Sequence, residues 1–316
     1  MLKPWLLSMA MAMGPHPSAA AQEDVRPDVG FVPTPQPAVE VMLELANPRP
    51  GEVLFDLGCG DGRIVITAAR RWNIQGRGVD IDPEMIRISR ENARKAGVDH
   101  LVRFEQRNIF ETDYREADIV ALYLLTWINV SLRPRLLQQL HPGARVVAHQ
   151  FGMEEWPPDV IRHVRHGGER HSVMLWIIPA NCTGDWRLTA EGFPADAELR
   201  FEQLFQHANG TLRWGGRIEP LFDLTLRGGE LAFTANREEK GGITPVSFSG
   251  RILGHRMRGR VRWAGGEGEM VSEWTAVRNP ATMRSLEPSE KGRGPRSFRL
   301  KKRAPRRPRR DSIKER

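Results

Sequence analysis

Between residues 38 and 179, short apolar runs alternate with segments whose apolar residues recur every three or four positions, which predicts strands and helices in turn. The first helix is expected over 38–45, with Val39, Met42, Leu43 and Ala46 on one face. Asn47-Pro48-Arg49-Pro50-Gly51 stops it and turns the chain. The pattern then predicts strands over 53–57, 76–81 and 102–106, with helices over 62–72 and 83–96 between them, the second opening on Pro83. Residues 118–125 are almost entirely apolar, as a strand buried on both faces requires. A helix over 132–140 and strands over 144–150 and 172–179 complete the series. This alternation implies an α/β domain over 38–182, a parallel-dominated sheet with helices on both faces.

Beyond Asn181 the helical period disappears. Alternating runs at 198–205, 211–214, 221–226, 230–234, 246–252, 256–263 and 272–277 are separated by glycine pairs at 215–216, 228–229, 241–242 and 265–266. Glycine pairs suit hairpin turns, so residues 183–278 are expected to form a small antiparallel β barrel or sandwich. From 279 to 316 apolar residues thin out, and Lys, Arg, Pro, Gly and Ser dominate. Such a segment buries too little apolar area to offset chain entropy and reads as a disordered basic tail.

Charge sharpens this division. The formal charge of the 316 residues is +8, yet residues 291–316 alone hold thirteen Lys/Arg against two Asp/Glu, about +11, which leaves residues 1–290 near −3. The basic character therefore belongs to the tail, which solubilises the chain or adheres to nucleic acid or an anionic membrane surface. Residues 22–37 are rich in proline and polar side chains and read as an extended arm. Ahead of it, Lys3, a short apolar run over 5–13 and Ala19-Ala20-Ala21 make a secretory-signal pattern with cleavage after Ala21. Cleavage would place the chain in the periplasm or outside the cell; otherwise it stays in the cytoplasm. The run is too short to span a membrane, and no other segment approaches that length, so no integral span is expected. The sequence sets no oligomeric state. Cys59 and Cys182 are not expected to pair, and no Cys/His cluster has zinc-ligand spacing. His163, His166 and His171 lie in a polar stretch that reads as a solvated loop or strand surface, so no metal site is expected.

The chemistry concentrates in Leu54-Phe55-Asp56-Leu57-Gly58-Cys59-Gly60-Asp61-Gly62. An apolar strand ends in an acid, glycines follow at every second position, and a helix begins. The glycines clear side chains from an approaching ligand and permit positive φ. The helix start presents free N–H groups. A further acid, Asp80, ends the next strand, where a carboxylate can accept hydrogen bonds from both hydroxyls of a ribose. In an open α/β sheet a ligand lies beyond the carboxyl ends of the strands, so these positions should share one crevice with Asn108, Tyr123 to Asn129, and His149.

The G-x-G-x-G loop after Asp56, together with Asp80, resembles the class I S-adenosylmethionine-dependent methyltransferases. Phe31-Val-Pro-Thr-Pro before the first helix, and Tyr123-Leu-Leu after the fourth strand, are similar to a subgroup of bacterial methyltransferases and mitochondrial-type protein lysine methyltransferases. The resemblance covers about residues 31–180. It implies a Rossmann-like methyltransferase sheet and S-adenosyl-L-methionine as cofactor. It implies that Asp56, Gly58, Cys59, Gly60 and Gly62 hold the methionine end and Asp80 the ribose, with Ile81 and Ile109 against the adenine. Asn108 stands where the family often has an acid facing the adenine amino group; its amide oxygen can accept the same bond, and an asparagine there also suits a turn. Thr126 follows Leu125 where the subgroup is expected to have proline, and the Asn-Pro-Pro-Tyr signature of many other amino-directed methyltransferases is absent. The implied reaction is methyl transfer to a protein lysine. Tyr123 and Trp127 are the candidate walls of an apolar acceptor channel, and His149 the candidate to take a proton or orient the acceptor. Alternatives are a small-molecule or RNA acceptor, or a non-catalytic cofactor-binding protein of the cell envelope. Export favours the last, because the methyl donor is made in the cytoplasm.

Overall fold

The computed structural model describes residues 30–239, 242–265 and 268–288. The signal pattern, the arm up to residue 29 and the basic tail beyond 288 lie outside the described residues. Two compact units divide between Ile178 and Pro179.

In the first unit the elements run α1 (Gln36–Ala46), β1 (Val53–Leu57), α2 (Arg63–Trp72), β2 (Gln75–Asp80), α3 (Pro83–Lys95), β3 (Val102–Gln106), β4 (Ile119–Leu122), α4 (Thr126–Gln139), β5 (Arg145–His149), β6 (Val160–His166) and β7 (Glu169–Ile177). The sheet order is β3-β2-β1-β4-β5-β7-β6. The first five strands are parallel, and β7 runs antiparallel to β5 and to β6. This is an α/β Rossmann-like sheet. Burial explains the strands: every residue of β4 is buried, and Val39, Met42 and Leu43 of α1 pack with Val65, Ala69, Val147 and Val173 in one core. Arg145 reaches from β5 to Glu52 before β1, its two guanidinium nitrogens 3.0 and 2.6 Å from the two carboxylate oxygens.

Three departures from the sequence pattern have physical causes. Helix α4 starts at Thr126 rather than at 132. Its first turn is poor in helix formers, but the Asn129 amide nitrogen donates to the carbonyls of Leu124 (3.3 Å) and Phe151 (3.0 Å), so tertiary contacts set the start. The unforeseen β6 is an edge strand with a largely exposed, basic surface and therefore no apolar alternation. It joins β7 through Gly167 and Gly168, both at positive φ. The strand expected over 118–125 stops at Leu122, which frees Tyr123 to Leu125 for the sheet's upper edge.

The second unit comprises β8 (Gly184–Ala190), β9 (Glu198–Leu204), β10 (His207–Trp214), β11 (Arg217–Pro220), β12 (Phe222–Arg227), β13 (Glu230–Glu239), β14 (Gly242–Leu253), β15 (Arg256–Gly265) and β16 (Gly268–Arg278). They form one antiparallel sheet in the order β11-β10-β9-β8-β16-β15-β14-β13-β12. The sheet curls until β12 approaches β10 and β11 approaches β13, so of the two alternatives the unit is barrel-like. Inward positions carry Trp186, Phe201, Phe233, Phe248 and Trp274, all buried, with Phe233 stacked on Phe248 at 4.7 Å between ring centroids.

Gly250 and Gly259 face each other across β14 and β15, and the indole of Trp274 crosses them to donate to the carbonyls of Ser249 (3.1 Å) and Arg260 (3.2 Å). A Cβ on Gly259 would lie 1.9 Å from the Ser249 oxygen, a contact only backbone movement could relieve. Gly259→Ala is expected to lower stability by about 2 kcal/mol or more, read as a reduced urea midpoint. A change below about 0.5 kcal/mol would show that this close approach is not a constraint.

Candidate functional site

Parallel pairing brings the ends of β2, β1, β4 and β5 to one edge. Leu57 pairs with Val79 and Leu122, and Leu122 with Ala148, so Asp80, Gly58, Tyr123 and His149 follow at one level. Neighbouring strands lie about 4.8 Å apart. The strand order reverses direction between β1 and β4, the place in an open α/β sheet where a ligand crevice lies.

The glycine loop is built by its own backbone. Gly58 N–H and Cys59 N–H donate to the Val79 carbonyl (2.8 and 3.0 Å), and Gly60 N–H to Asp80 Oδ2 (2.8 Å). Gly58 and Gly60 have φ of 83° and 50°, and a Cβ would lie 2.9 Å from the Leu124 side chain at one and 2.3 Å from the Phe31 ring at the other. Cys59 is buried, with its sulfur beneath Gly78 and its thiol pKa pushed well up by burial, so this residue offers a ligand its backbone alone. Asp80 Oδ1 accepts from Asp82 N–H (3.0 Å), and Asp82 caps α3 through Glu84 N–H (2.8 Å). Asn108 forms the turn: its amide oxygen accepts from Phe110 N–H at 2.9 Å, leaving one lone pair. Ile81 and Ile109 are half-buried beside it.

The arm enters this site, a contact the sequence pattern did not foreshadow. Arg63 Nε lies 3.0 and 3.1 Å from the two oxygens of Asp61, and its Nη1 donates to the Thr34 carbonyl at 2.9 Å. That bridge fastens residues 31–34 over the loop.

Asp56 is 2% exposed, and no hydrogen bond reaches its carboxylate among the described residues. Burial first, then the negative Asp80 and Asp61, push its pKa from 3.8 up to about 8. Arg63 is already committed to Asp61. The position is a buried acid without a counter-charge, suited to an incoming ammonium group.

A second cluster occupies the ends of β4, β5 and β7. His149 is fully buried; its Nε2 lies 3.0 Å from His171 Nδ1, and its own Nδ1 has no hydrogen-bond partner among the described residues. Burial, then His171, push the His149 pKa down to about 4, so its imidazole is neutral at pH 7. The Tyr123 ring lies 4.2 Å from the His149 ring and stacks on Phe151 at 6.2 Å, and burial followed by Glu169 raises the phenol pKa. Trp127 sits in the first turn of α4, 39% exposed. Phe151 has no signal in the sequence, and His171, which the polar stretch places on a solvated surface, is half-buried against His149 because the unforeseen β6–β7 hairpin sets its register. Among the described residues no group of three His, Cys, Asp or Glu is placed to hold a metal.

Comparison with known proteins decides the family. Residues 56–160 match the family model described as ANTKMT methyltransferase domain. A protein-lysine N-methyltransferase of Saccharolobus islandicus (strain REY15A) is 42% identical over 153 residues, covering 48% of this chain and 95% of the relative. The chain belongs to the class I S-adenosylmethionine-dependent methyltransferases. An adenine nucleotide translocase lysine N-methyltransferase of Mus musculus is 31% identical over 134 residues, and this methyltransferase spans 58% of that relative's length. Among solved structures, an RNA methyltransferase from Salinibacter ruber in complex with S-adenosyl-L-homocysteine is 50% identical, covering 46% of this chain and 94% of that one, with a TM-score of 0.44. The cofactor of the enzyme is S-adenosyl-L-methionine.

The Asp56 environment has a measurable consequence. The unfolded carboxyl ionises near pH 3.9, whereas the folded one holds its proton up to about pH 8. The resulting destabilisation is absent below pH 4, grows as pH rises, and levels off above about 8. Asp56→Asn is therefore expected to match the ligand-free wild type at pH 4 and to exceed it by roughly a few kcal/mol at pH 8. Urea denaturation across that range checks this; equal stability at both pH values would contradict it.

Proposed function

We propose that this methyltransferase transfers the methyl group to a lysine amine of a protein. The observation that carries the reading is the buried, neutral His149 imidazole with an unpartnered Nδ1, flanked by Tyr123, at the strand ends beside the glycine loop. The activities of the Saccharolobus and mouse relatives, both lysine N-methyltransferases, support the same acceptor class.

The residues present fit the cofactor. Asp56 would hold the ammonium of the methionine end, the backbone of Gly58, Cys59, Gly60 and Gly62 would line it, and Asp80 would accept from the ribose hydroxyls. Ile81 and Ile109 would pack on the adenine, with the remaining Asn108 lone pair for its amino group. The cofactor supplies an electrophilic methyl on a sulfonium. A lysine is nucleophilic only when neutral, and the aromatic walls of Tyr123 and Trp127 favour the neutral amine by excluding water while tolerating the cation on its way in. With a pKa of about 4, His149 is too weak a base to deprotonate a lysine ammonium; the amine sheds its proton to water as it enters, and the neutral imidazole, with its Nε2 proton directed at His171 Nδ1, keeps the strand end beside Tyr123 uncharged. Positioning and desolvation do most of the rest.

Incubation of extracts with methyl-labelled cofactor tests the reading. Label is expected in protein and, after acid hydrolysis, in methyl-lysine. Asp80→Ala is expected to reduce transfer at least about tenfold, as loss of a charged hydrogen-bond acceptor predicts. Label confined to nucleic acid or small molecules, or tight cofactor binding with no label anywhere, would overturn the assignment.

A further inference from the structure

On the outer face of the β unit three arginines pair with acids on neighbouring strands. Arg200 meets Asp185 at 2.6 Å, Arg213 meets Glu198 at 2.7 Å, and Arg251 meets Glu230 at 2.8 Å. On β15, Arg256, Arg258, Arg260 and Arg262 stand at alternate positions, all exposed, and none forms an ion pair among the described residues. Glu273 is opposite Arg260 in the ladder without pairing to it, and Arg258 is opposite another arginine, Arg251. Like charges placed opposite each other or two residues apart on one strand destabilise a sheet, and among the described residues Glu273 is the one acid opposite this row.

We propose that the outer face of β15 is a docking surface for the phosphate backbone of a single-stranded nucleic acid. The row extends about 20 Å at 3.4 Å per residue and is one residue wide. A line of positive charge on the convex side of a curled sheet complements a linear polyanion; a planar membrane would meet a broader patch. The strand positions beside it add hydroxyls, Ser247 and Ser249 on β14 and Thr275 on β16. Arginine forks with neighbouring hydroxyls are the usual donors to phosphate oxygens. No exposed aromatic ring lies beside the row among the described residues, so binding tracks the backbone and carries no sequence preference. This surface lies outside the α/β unit that carries the methyl-transfer site, and it does not depend on the acceptor proposed above.

The test is fluorescence anisotropy of a labelled twelve-nucleotide oligouridylate with the full chain and with a variant carrying R256Q, R258Q, R260Q and R262Q. These side chains lie outside the β core, and a cooperative melt confirms that the variant is folded. Each lost phosphate contact removes about 0.7 from the slope of log affinity against log salt. The wild type is therefore expected to lose about 50-fold more affinity than the variant between 50 and 200 mM salt. Absence of wild-type binding, or equal slopes (which would place all binding in the basic tail), overturns the proposal. So does a larger effect of the substitutions on binding to phosphatidylserine vesicles or to oligoglutamate than on binding to the oligonucleotide.

Discussion

The uncompensated Asp56 carboxylate at the end of β1 is the constraint around which the first unit is arranged. A buried acid facing two other acids is an unfavourable feature in a folded chain, and here burial together with Asp80 and Asp61 lifts its pKa to about 8. The one cation close in sequence, Arg63, is held by Asp61 and the Thr34 carbonyl. The loop that follows Asp56 closes tightly enough that backbone, not side chains, faces the crevice, and Asp80 anchors that loop at Gly60. Fold and cofactor chemistry would meet in this feature: the parallel strands bring two carboxylates to one edge, and the proposed cationic nucleoside would resolve the charge they leave.

The side proposed for the acceptor follows a different rule. It is assembled from residues that leave the sheet, with Tyr123 after β4 and His149 and Phe151 at and after β5. Asn129 holds them in place by bonding the loops on both sides. Its neutral histidine reaches solvent through His171. In the reaction proposed here, a neutral, aromatic site beside an acidic one would separate the two charge requirements of sulfonium methyl transfer to an amine.

Much of this was legible in the chain. The alternation of strand and helix patterns implies the parallel α/β sheet, and the glycine loop between its two acids stands out because close approach and positive φ restrict residue choice there. Other parts left no local signal. The β6 edge strand is polar on its exposed surface, so its pairing with β7, and with it the place of His171, is fixed only in three dimensions. The start of α4 depends on Asn129 and not on helix propensity. Phe31 touches the loop through a tie between Arg63 and Thr34 that no spacing rule anticipates. In the β unit the glycine pairs at 215–216 and 228–229 mark hairpin turns, those at 241–242 and 265–266 fall partly outside the described residues, and the Gly250–Gly259 crossing under Trp274 is a packing feature without a turn signature.

The most direct measurement of the central claim is the proton balance of cofactor-product binding. Isothermal titration of S-adenosylhomocysteine at pH 7, repeated in buffers of different ionisation enthalpy, reports how many protons leave the complex. An ammonium group settling on a carboxyl that titrates near 8 displaces close to one proton, and Asp56→Asn abolishes the release. Binding with no proton released, or with the same release from the Asp56→Asn variant, would contradict the account.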